Sequence, residues 1–303
     1  LRISKGDILD IKYDITYINN VIYKYLCDEN SLSKLVREAM NKAVINGGKR
    51  VRPLLILETY KLCGGKNIDI LHPFMAGIEF IHTFSLIHDD LPCIDNDELR
   101  RGNKSTWAEF GEDMAVLAGD ALSIEAFRII TTAMLDLKDE SIIKRYIKAL
   151  DVLGKNSGID GMVGGQVLDV QKTGENLSKE ELYYIYTLKT GALIEASMLI
   201  GAILAGADEF TIEKVKKLAF NIGMSFQIKD DILDETSSSE ELGKPVHSDR
   251  DNNKNTYVSI YGLEYAKKYL EKMEEDALIL LDSFEEDSSK LKEIVAWLIK
   301  RAN

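Results

Sequence analysis

The chain has 303 residues, with 38 Lys and Arg against 50 Asp and Glu, for a formal net charge of −12. That acidic balance argues against nonspecific binding to nucleic acid or to anionic membranes, both of which need a cationic surface. With 45% hydrophobic and 29% charged residues, the disordered and fibrous classes drop out and a large buried core is possible.

Pro53, Pro73, Pro92 and Pro245 are widely scattered, and no Ser/Gly/Pro-rich run of linker length divides the chain, so residues 1–303 are read as a single domain. Apolar residues recur at three-to-four spacing along nearly every long segment. Alternating runs bounded by Asn-Gly or Asp-Gly turns are scarce, and the fold is read as all-α. The opening LRISKGDILDIKYD has no apolar stretch of signal-peptide length and gives secretion no support. Helices are predicted over 8–27 and 31–46, then over 53–63 with Pro53 as its first residue, then over 69–91. Further helices are expected over 110–135, 139–155 and 160–172.

Ser178 and Glu181 form a capping-box pattern, in which each side chain can satisfy the other's free backbone N–H, and open a helix through Tyr186 and Lys189. It continues into TGALIEASMLIGAILAGA, Thr190 to Ala207, about the minimum length that spans a membrane. Glu195 interrupts this stretch, and Ala192, Ala196, Gly201 and Ala205 recur near helical spacing, as in a helix packed against close neighbours. It is read as a core helix, with no integral membrane segment expected. The last helices are predicted over 208–235, 255–282 and 288–301, and no repeat of fixed period suggests a solenoid. Cys27, Cys63 and Cys93 form no C-x-x-C and no even set, so neither a disulfide framework nor a thiolate zinc site is expected, and a reducing cytoplasm fits best.

Two acidic motifs stand out. Asp89-Asp90-Leu91-Pro92-Cys93-Ile94-Asp95 follows an apolar run that should be buried, and acids at the end of a buried helix need a counter-charge. Pro92 breaks the helical ladder, which frees Asp95 to swing toward the cavity that Asp89 faces. The second motif is Asp230-Asp231-Ile232-Leu233-Asp234, with Asp230 and Asp234 at i and i+4 and Gln227 one turn before. Like charges so arranged make sense when hard divalent cations bridge them to a strongly anionic ligand.

Cations gather around these motifs. Gly47-Gly48-Lys49-Arg50-Val51-Arg52-Pro53 places glycines and three positive charges at a helix start, where free N–H groups also favour an anion. Arg100-Arg101-Gly102 follows the first motif, Lys189-Thr190-Gly191 interrupts an apolar helix, and Gly243-Lys244-Pro245 with Lys254-Asn255-Thr256 follows the second. His82, two turns before Asp89, is read either as a core histidine or as a donor to a second diphosphate; His88 is ambiguous. No third N or S ligand makes these histidines a zinc site, and no G-x-S-x-G elbow, dinucleotide fingerprint or Walker motif is present.

In these segments the chain resembles the trans-isoprenyl diphosphate synthases, the polyprenyl synthetase family. The matching stretches are GGKRVRP, IHTFSLIHDDLPCIDNDELRRG, FGEDMAVLAGDAL, LKTGALIEAS, FQIKDDILD, and GKPVHSD followed by KNTY, in family order from residue 47 to residue 257. The resemblance implies an all-α bundle of the isoprenoid synthase type with a deep central cavity, a homodimer, and a prenyltransferase. Its reaction would be the magnesium-assisted condensation of isopentenyl diphosphate with dimethylallyl or geranyl diphosphate. Carried over by position, it implies that Asp89, Asp90, Asp95, Asp230, Asp231 and Asp234 hold Mg2+ on the allylic diphosphate. Arg100, Lys189, Gln227, Lys244 and Lys254 would bind that diphosphate with Thr190 nearby, Lys189 acting also on the departing charge. Lys49, Arg52, His82 and Arg101 would hold isopentenyl diphosphate.

His247 stands where the family often has glycine, and Asn103-Lys104-Ser105 replaces a more usual Lys-Pro-Thr; neither change removes a charged group. Phe84 and Ser85, one turn before Asp89, are placed to floor the cavity, and an aromatic residue there resembles the bacterial farnesyl type. A fifteen-carbon product is expected. The alternatives are a geranylgeranyl or longer-chain synthase, a class I terpene cyclase, and a noncatalytic partner subunit. Lys49, Arg52 and His82 argue against the cyclase, and two intact acidic motifs argue against the noncatalytic subunit.

Overall fold

The computed structural model describes residues 5–236 and 255–299; Lys244, His247 and Lys254 lie outside them. In order, the helices are α1 (Lys5–Tyr23), α2 (Lys34–Ile45), α3 (Val51–Leu62), α4 (His72–Asp89), α5 (Thr106–Phe110), α6 (Glu112–Leu135), α7 (Glu140–Ser157), α8 (Met162–Gln171) and α9 (Lys179–Ile185). A π-helical stretch, Tyr186–Gly191, joins α9 to α10 (Ala192–Ala205). They are followed by α11 (Glu209–Thr236), α12 (Tyr257–Tyr261), α13 (Leu263–Asp282) and α14 (Ser289–Ile299). The all-α expectation holds, with one addition: β1 (Leu99–Arg100) and β2 (Asn103–Lys104) form a small hairpin. Its central residues, Arg101 (φ 54°) and Gly102 (φ 78°), both take positive φ, the conformation that a two-residue hairpin turn requires.

Most predicted helix limits shift by a few residues, and three departures have local reasons. Helix α3 begins at Val51, two residues before Pro53, because Arg50 adopts the left-handed conformation (φ 48°) just ahead of it. The helix predicted over 255–282 is broken at Gly262 (φ 84°) into α12 and α13. The Ser178–Glu181 capping box forms as expected, but the helix it opens changes to π winding at Tyr186 before it becomes α10.

Helix α10 lies at the centre, packed against α3, α7 and α11, while α4 packs on α6. Small residues allow this: a Cβ on Gly201 would lie 2.5 Å from the Ile56 carbonyl oxygen, so α3 and α10 meet backbone to backbone. Two segments, Ile68–Asp89 and Lys179–Ala205, are long and apolar enough to cross a membrane, yet most of each lies inside the bundle. This agrees with the core reading of Thr190–Ala207. The same arrangement sets the site, because the ends of α4, α8 and the π-helical stretch converge on one side of the core.

Candidate active site

Helix α4 is mostly apolar and buried through Ile81, and its C-terminal end carries the half-buried Asp89 with the buried Asp90 just after it. After Pro92 the chain doubles back: the Asp95 N–H donates to the Asp89 carbonyl (2.9 Å) and the Asp97 N–H to the Asp90 carbonyl (3.1 Å). Asp95 is thereby returned to Asp89, as the proline suggested. The two adjacent aspartates then part ways. Burial pushes the Asp89 carboxyl up to about 6; Lys189 and Arg100 oppose this, and Asp95 and Asp90 add to it. Asp90 is 2% exposed and is gripped by Arg100, whose Nε donates to Oδ1 (2.9 Å) and Oδ2 (3.2 Å) and whose Nη2 also donates to Oδ1.

On α11, Asp230 is half-buried and Asp234 buried, at the expected i, i+4 spacing. Asp231 is 3% exposed, and its Oδ2 accepts hydrogen bonds from the Tyr186 hydroxyl (2.5 Å) and the Tyr257 N–H (2.7 Å). Gln227 Nε2 lies 3.4 Å from Asp231 Oδ1, and Gln227 Oε1 accepts from the Thr190 hydroxyl at 3.0 Å. Lys189 reaches Asp169 on α8, with 2.5 Å between Nζ and Oδ2. Burial alone would lower the Lys189 ammonium, but Asp169, Asp89 and Asp95 together raise it, so it stays charged. The π winding positions this lysine, and such windings recur at functional sites because they re-aim side chains within a helix. Gly165 makes room for it: a Cβ there would sit 2.2 Å from the Lys189 amide nitrogen.

The cationic wall rises from the start of α3. Arg50 is buried and fully engaged, by Glu79 (2.7 Å), Asn19 (2.8 Å) and the Val44 carbonyl (2.7 Å). Arg52, two residues on, has a buried Nε with no hydrogen-bond partner among the described residues. Burial pulls its guanidinium down to about 10, with Glu79 opposing and Arg101 adding to the effect. Burial, then Arg52, Arg101, Arg50 and Arg100, hold His82 neutral, well below the usual histidine range. Arg101 lies against Gly48, where a Cβ would stand 2.8 Å from its guanidinium. Lys49 Nζ sits 6.0 Å from the centre of the Trp297 ring. Repelling cations around a neutral histidine are an arrangement that an anion would relieve.

A cavity of about 500 Å³ runs between α4 and α8, bordered by Arg52, His82, Asp89, Lys189 and Thr190 and continued by Phe84, Ser85, Val163 and Val167. The Phe84 ring meets His88 edge-on at 5.8 Å. A smaller polar cleft of about 140 Å³, lined by Asp169, Gln227 and Asp231, shares Lys189 and Thr190 with it. An ionic compartment and an apolar one thus meet at a single lysine.

Of the six aspartates expected on a metal, Asp90 pairs with Arg100 and Asp231 accepts from Tyr186 and Tyr257, as buried carboxylates need partners. Arg100, expected on a diphosphate, pairs with Asp90 and keeps a third of its side chain exposed, at 34%. Among the described residues no three His, Cys, Asp or Glu side chains converge into a ready-made metal cage. Hard carboxylate oxygens with an undercompensated Asp89 nonetheless fit magnesium, which is typically held by one or two carboxylates and completed by phosphate and water. Arg52, His82, Lys189 and Thr190 border the larger cavity and Gln227 the smaller cleft, Arg101 lies against Gly48 next to Lys49, and Lys244 and Lys254 lie outside the described residues. The sequence reading missed Asp169, Gln166 and Tyr186. Gly164-Gly165-Gln166 followed by Asp169 was the available signal, since paired glycines mark a close approach and Asp169 lies one turn after Gln166.

The sequence matches the polyprenyl synthetase family over residues 33–298. It is 44% identical over 264 residues to geranylgeranyl pyrophosphate synthase 4 of Arabidopsis thaliana, covering 86% of this chain and 68% of that protein. It is 41% identical over 266 residues to farnesyl diphosphate synthase of Micrococcus luteus, covering 88% and 89%. Among solved structures, an FPP/GFPP synthase from Zymomonas mobilis superposes with a TM-score of 0.83 at 30% identity, covering 97% of this chain and 99% of that one. A geranyltransferase from Legionella pneumophila gives 0.85 at 28%, covering 99% and 98%.

Proposed function

Because the chain belongs to the polyprenyl synthetase family, we propose that it condenses isopentenyl diphosphate with dimethylallyl or geranyl diphosphate and releases farnesyl diphosphate. The observation that carries this reading is the junction at Lys189 and Thr190, where a charged cleft opens into an apolar cavity. An allylic diphosphate has the same two halves, an anionic head and a hydrocarbon tail.

Asp89, Asp95, Asp230 and Asp234 would hold magnesium on the allylic diphosphate. When bound, magnesium neutralises the head and stabilises the charge it takes on as the allylic C–O bond ionises. Lys189, kept cationic by Asp169 and Asp89, binds the same oxygens and steadies the departing charge. Lys244 and Lys254 join it on the strength of their motifs. Thr190 and Gln227, hydrogen-bonded to each other, border the polar cleft that takes the diphosphate head. Arg52, Arg101, His82 and Lys49 hold isopentenyl diphosphate, whose anionic oxygens relieve their mutual repulsion. The isopentenyl double bond then attacks the allylic carbon, forming one C–C bond as the C–O bond is lost, and the proton released from isopentenyl passes to the departed diphosphate.

Phe84 and Ser85 border the apolar cavity and support a fifteen-carbon limit. The exposed apolar face of α6, with Val116, Leu117 and Ile124, supports assembly as a homodimer, and three free thiols suit a reducing cytoplasm. The test is product analysis of the purified chain with magnesium, isopentenyl diphosphate and dimethylallyl diphosphate, beside Phe84→Ala. The expected result is a fifteen-carbon product that lengthens in the variant. Twenty carbons from the parent would replace the farnesyl reading with a geranylgeranyl one, and no condensation by a folded, diphosphate-binding chain would favour a noncatalytic partner.

A further inference from the structure

Gln166 stands on α8 between two residues that serve Lys189: Gly165, whose missing Cβ admits the lysine backbone, and Asp169, whose carboxylate holds the lysine ammonium. It borders the 500 Å³ cavity together with Asp89, Lys189 and Thr190. Its Nε2 and Oε1 are both buried, and neither has a hydrogen-bond partner among the described residues. An unpaired amide facing an apolar cavity weakens the fold, and a Met or Leu would fill the same space without that cost. A local rule broken beside a reacting centre points to a role for the group in the reaction.

We propose that Gln166 is a further catalytic residue of prenyl transfer, its amide carbonyl meeting the allylic carbon as that carbon becomes cationic. The proposal rests on the prenyl-transfer reading above. A hydrocarbon tail offers an amide no hydrogen bond, so the substrate atoms that can engage Gln166 are those at the charged end, beside Asp89 and Lys189. Once bound substrate fills the cavity and displaces its water, a fixed dipole acts on a developing cation with little screening. A carboxylate at this place would repel the diphosphate, whereas an amide supplies the dipole without net charge. No bond forms to Gln166. The C–O electron pair leaves with diphosphate, the isopentenyl π pair makes the new C–C bond, and the proton passes to diphosphate.

The test uses the full chain and its Gln166→Met and Gln166→Leu variants with magnesium, isopentenyl diphosphate and geranyl diphosphate. The expected result is a fall in kcat of about 10- to 100-fold, KM for both substrates within about threefold of the parent, and Tm unchanged or higher. A kcat within twofold of the parent in both variants overturns the proposal, as does a loss of activity that tracks a loss of Tm, which would mark Gln166 as a structural residue. A parent chain that fails to condense these substrates overturns the prenyl-transfer reading with it, while an active parent with equally active variants overturns this proposal alone.

Discussion

The two acidic motifs begin with the same pair of aspartates and are anchored by different physics. In the first, a proline-broken loop returns Asp95 to Asp89, and the buried Asp90 is neutralised by a forked ion pair with Arg100. In the second, an unbroken helix presents Asp230 and Asp234, and the buried Asp231 accepts from neutral donors that include the Tyr186 hydroxyl and the Tyr257 N–H. In both, one aspartate of the pair is committed to the scaffold. The first motif's anchor is ionic and partly open to solvent, since the Arg100 side chain is 34% exposed. The Tyr186 and Tyr257 donors of the second carry no charge. Screening should therefore weaken the Arg100–Asp90 pair more than the Tyr186–Asp231 hydrogen bond.

The contrast breaks first at Asp89. Asp89→Asn should lower kcat/KM roughly 10²- to 10³-fold, measured as magnesium-dependent turnover, without lowering Tm, because the charge removed is already disfavoured by burial. Its raised pKa gives a signed test in chelator-treated protein. The folded state holds this proton to about 6, above the ordinary value of 3.8, so this group makes folding stability fall as pH rises between those values. Asp89→Asn should flatten that slope, and an unchanged slope would dissociate the shift from Asp89.

Arg100→Met should be the next largest effect, leaving the Asp90 carboxylate buried and unpaired at a cost of about 2 to 3 kcal/mol, discounted for the exposure of the arginine. Burial already raises the Asp90 pKa, so the deficit should be greatest near neutral pH and shrink as acid protonates the group. Denaturant unfolding at two pH values and two salt concentrations checks it. Tyr186→Phe should be smaller, about 1 to 2 kcal/mol, because the Tyr257 N–H still serves Asp231, and it should be indifferent to salt. Equal salt sensitivity in the two variants would erase the distinction between the anchors.

Much of this site was legible because its chemistry is local in sequence. Two Asp-rich motifs, a Gly-Gly-Lys-Arg segment and a capping box each lie within a few residues, and Pro92 announced the loop that returns Asp95 to Asp89. Arg50 and Arg52 show where such reading stops. Two residues apart and chemically identical, one is consumed by Glu79, Asn19 and the Val44 carbonyl, while the other faces His82 with a buried Nε that has no hydrogen-bond partner among the described residues. The left-handed backbone at Arg50 turns them apart, and no pattern of residue types shows that. Asp169 and Gln166 escaped for a related reason: a lone acid and a lone amide on a helix resemble any solvated face until Gly165 brings that helix against Lys189.

By itself, then, the sequence determined the all-α class, most helix limits to within a few residues and the identity of the charged groups, since periodicity, caps and motifs depend on neighbours within a turn or two. Tertiary structure alone decided which scaffold groups reach Asp90 and Asp231, which arginine keeps a buried Nε with no hydrogen-bond partner among the described residues, and that a charged cleft and an apolar cavity meet at Lys189. Those outcomes depend on partners far away in the chain, such as Arg50 with Glu79 or Tyr186 with Asp231. A buried charge is satisfied by whatever packing brings within reach, and packing is settled by the whole core at once.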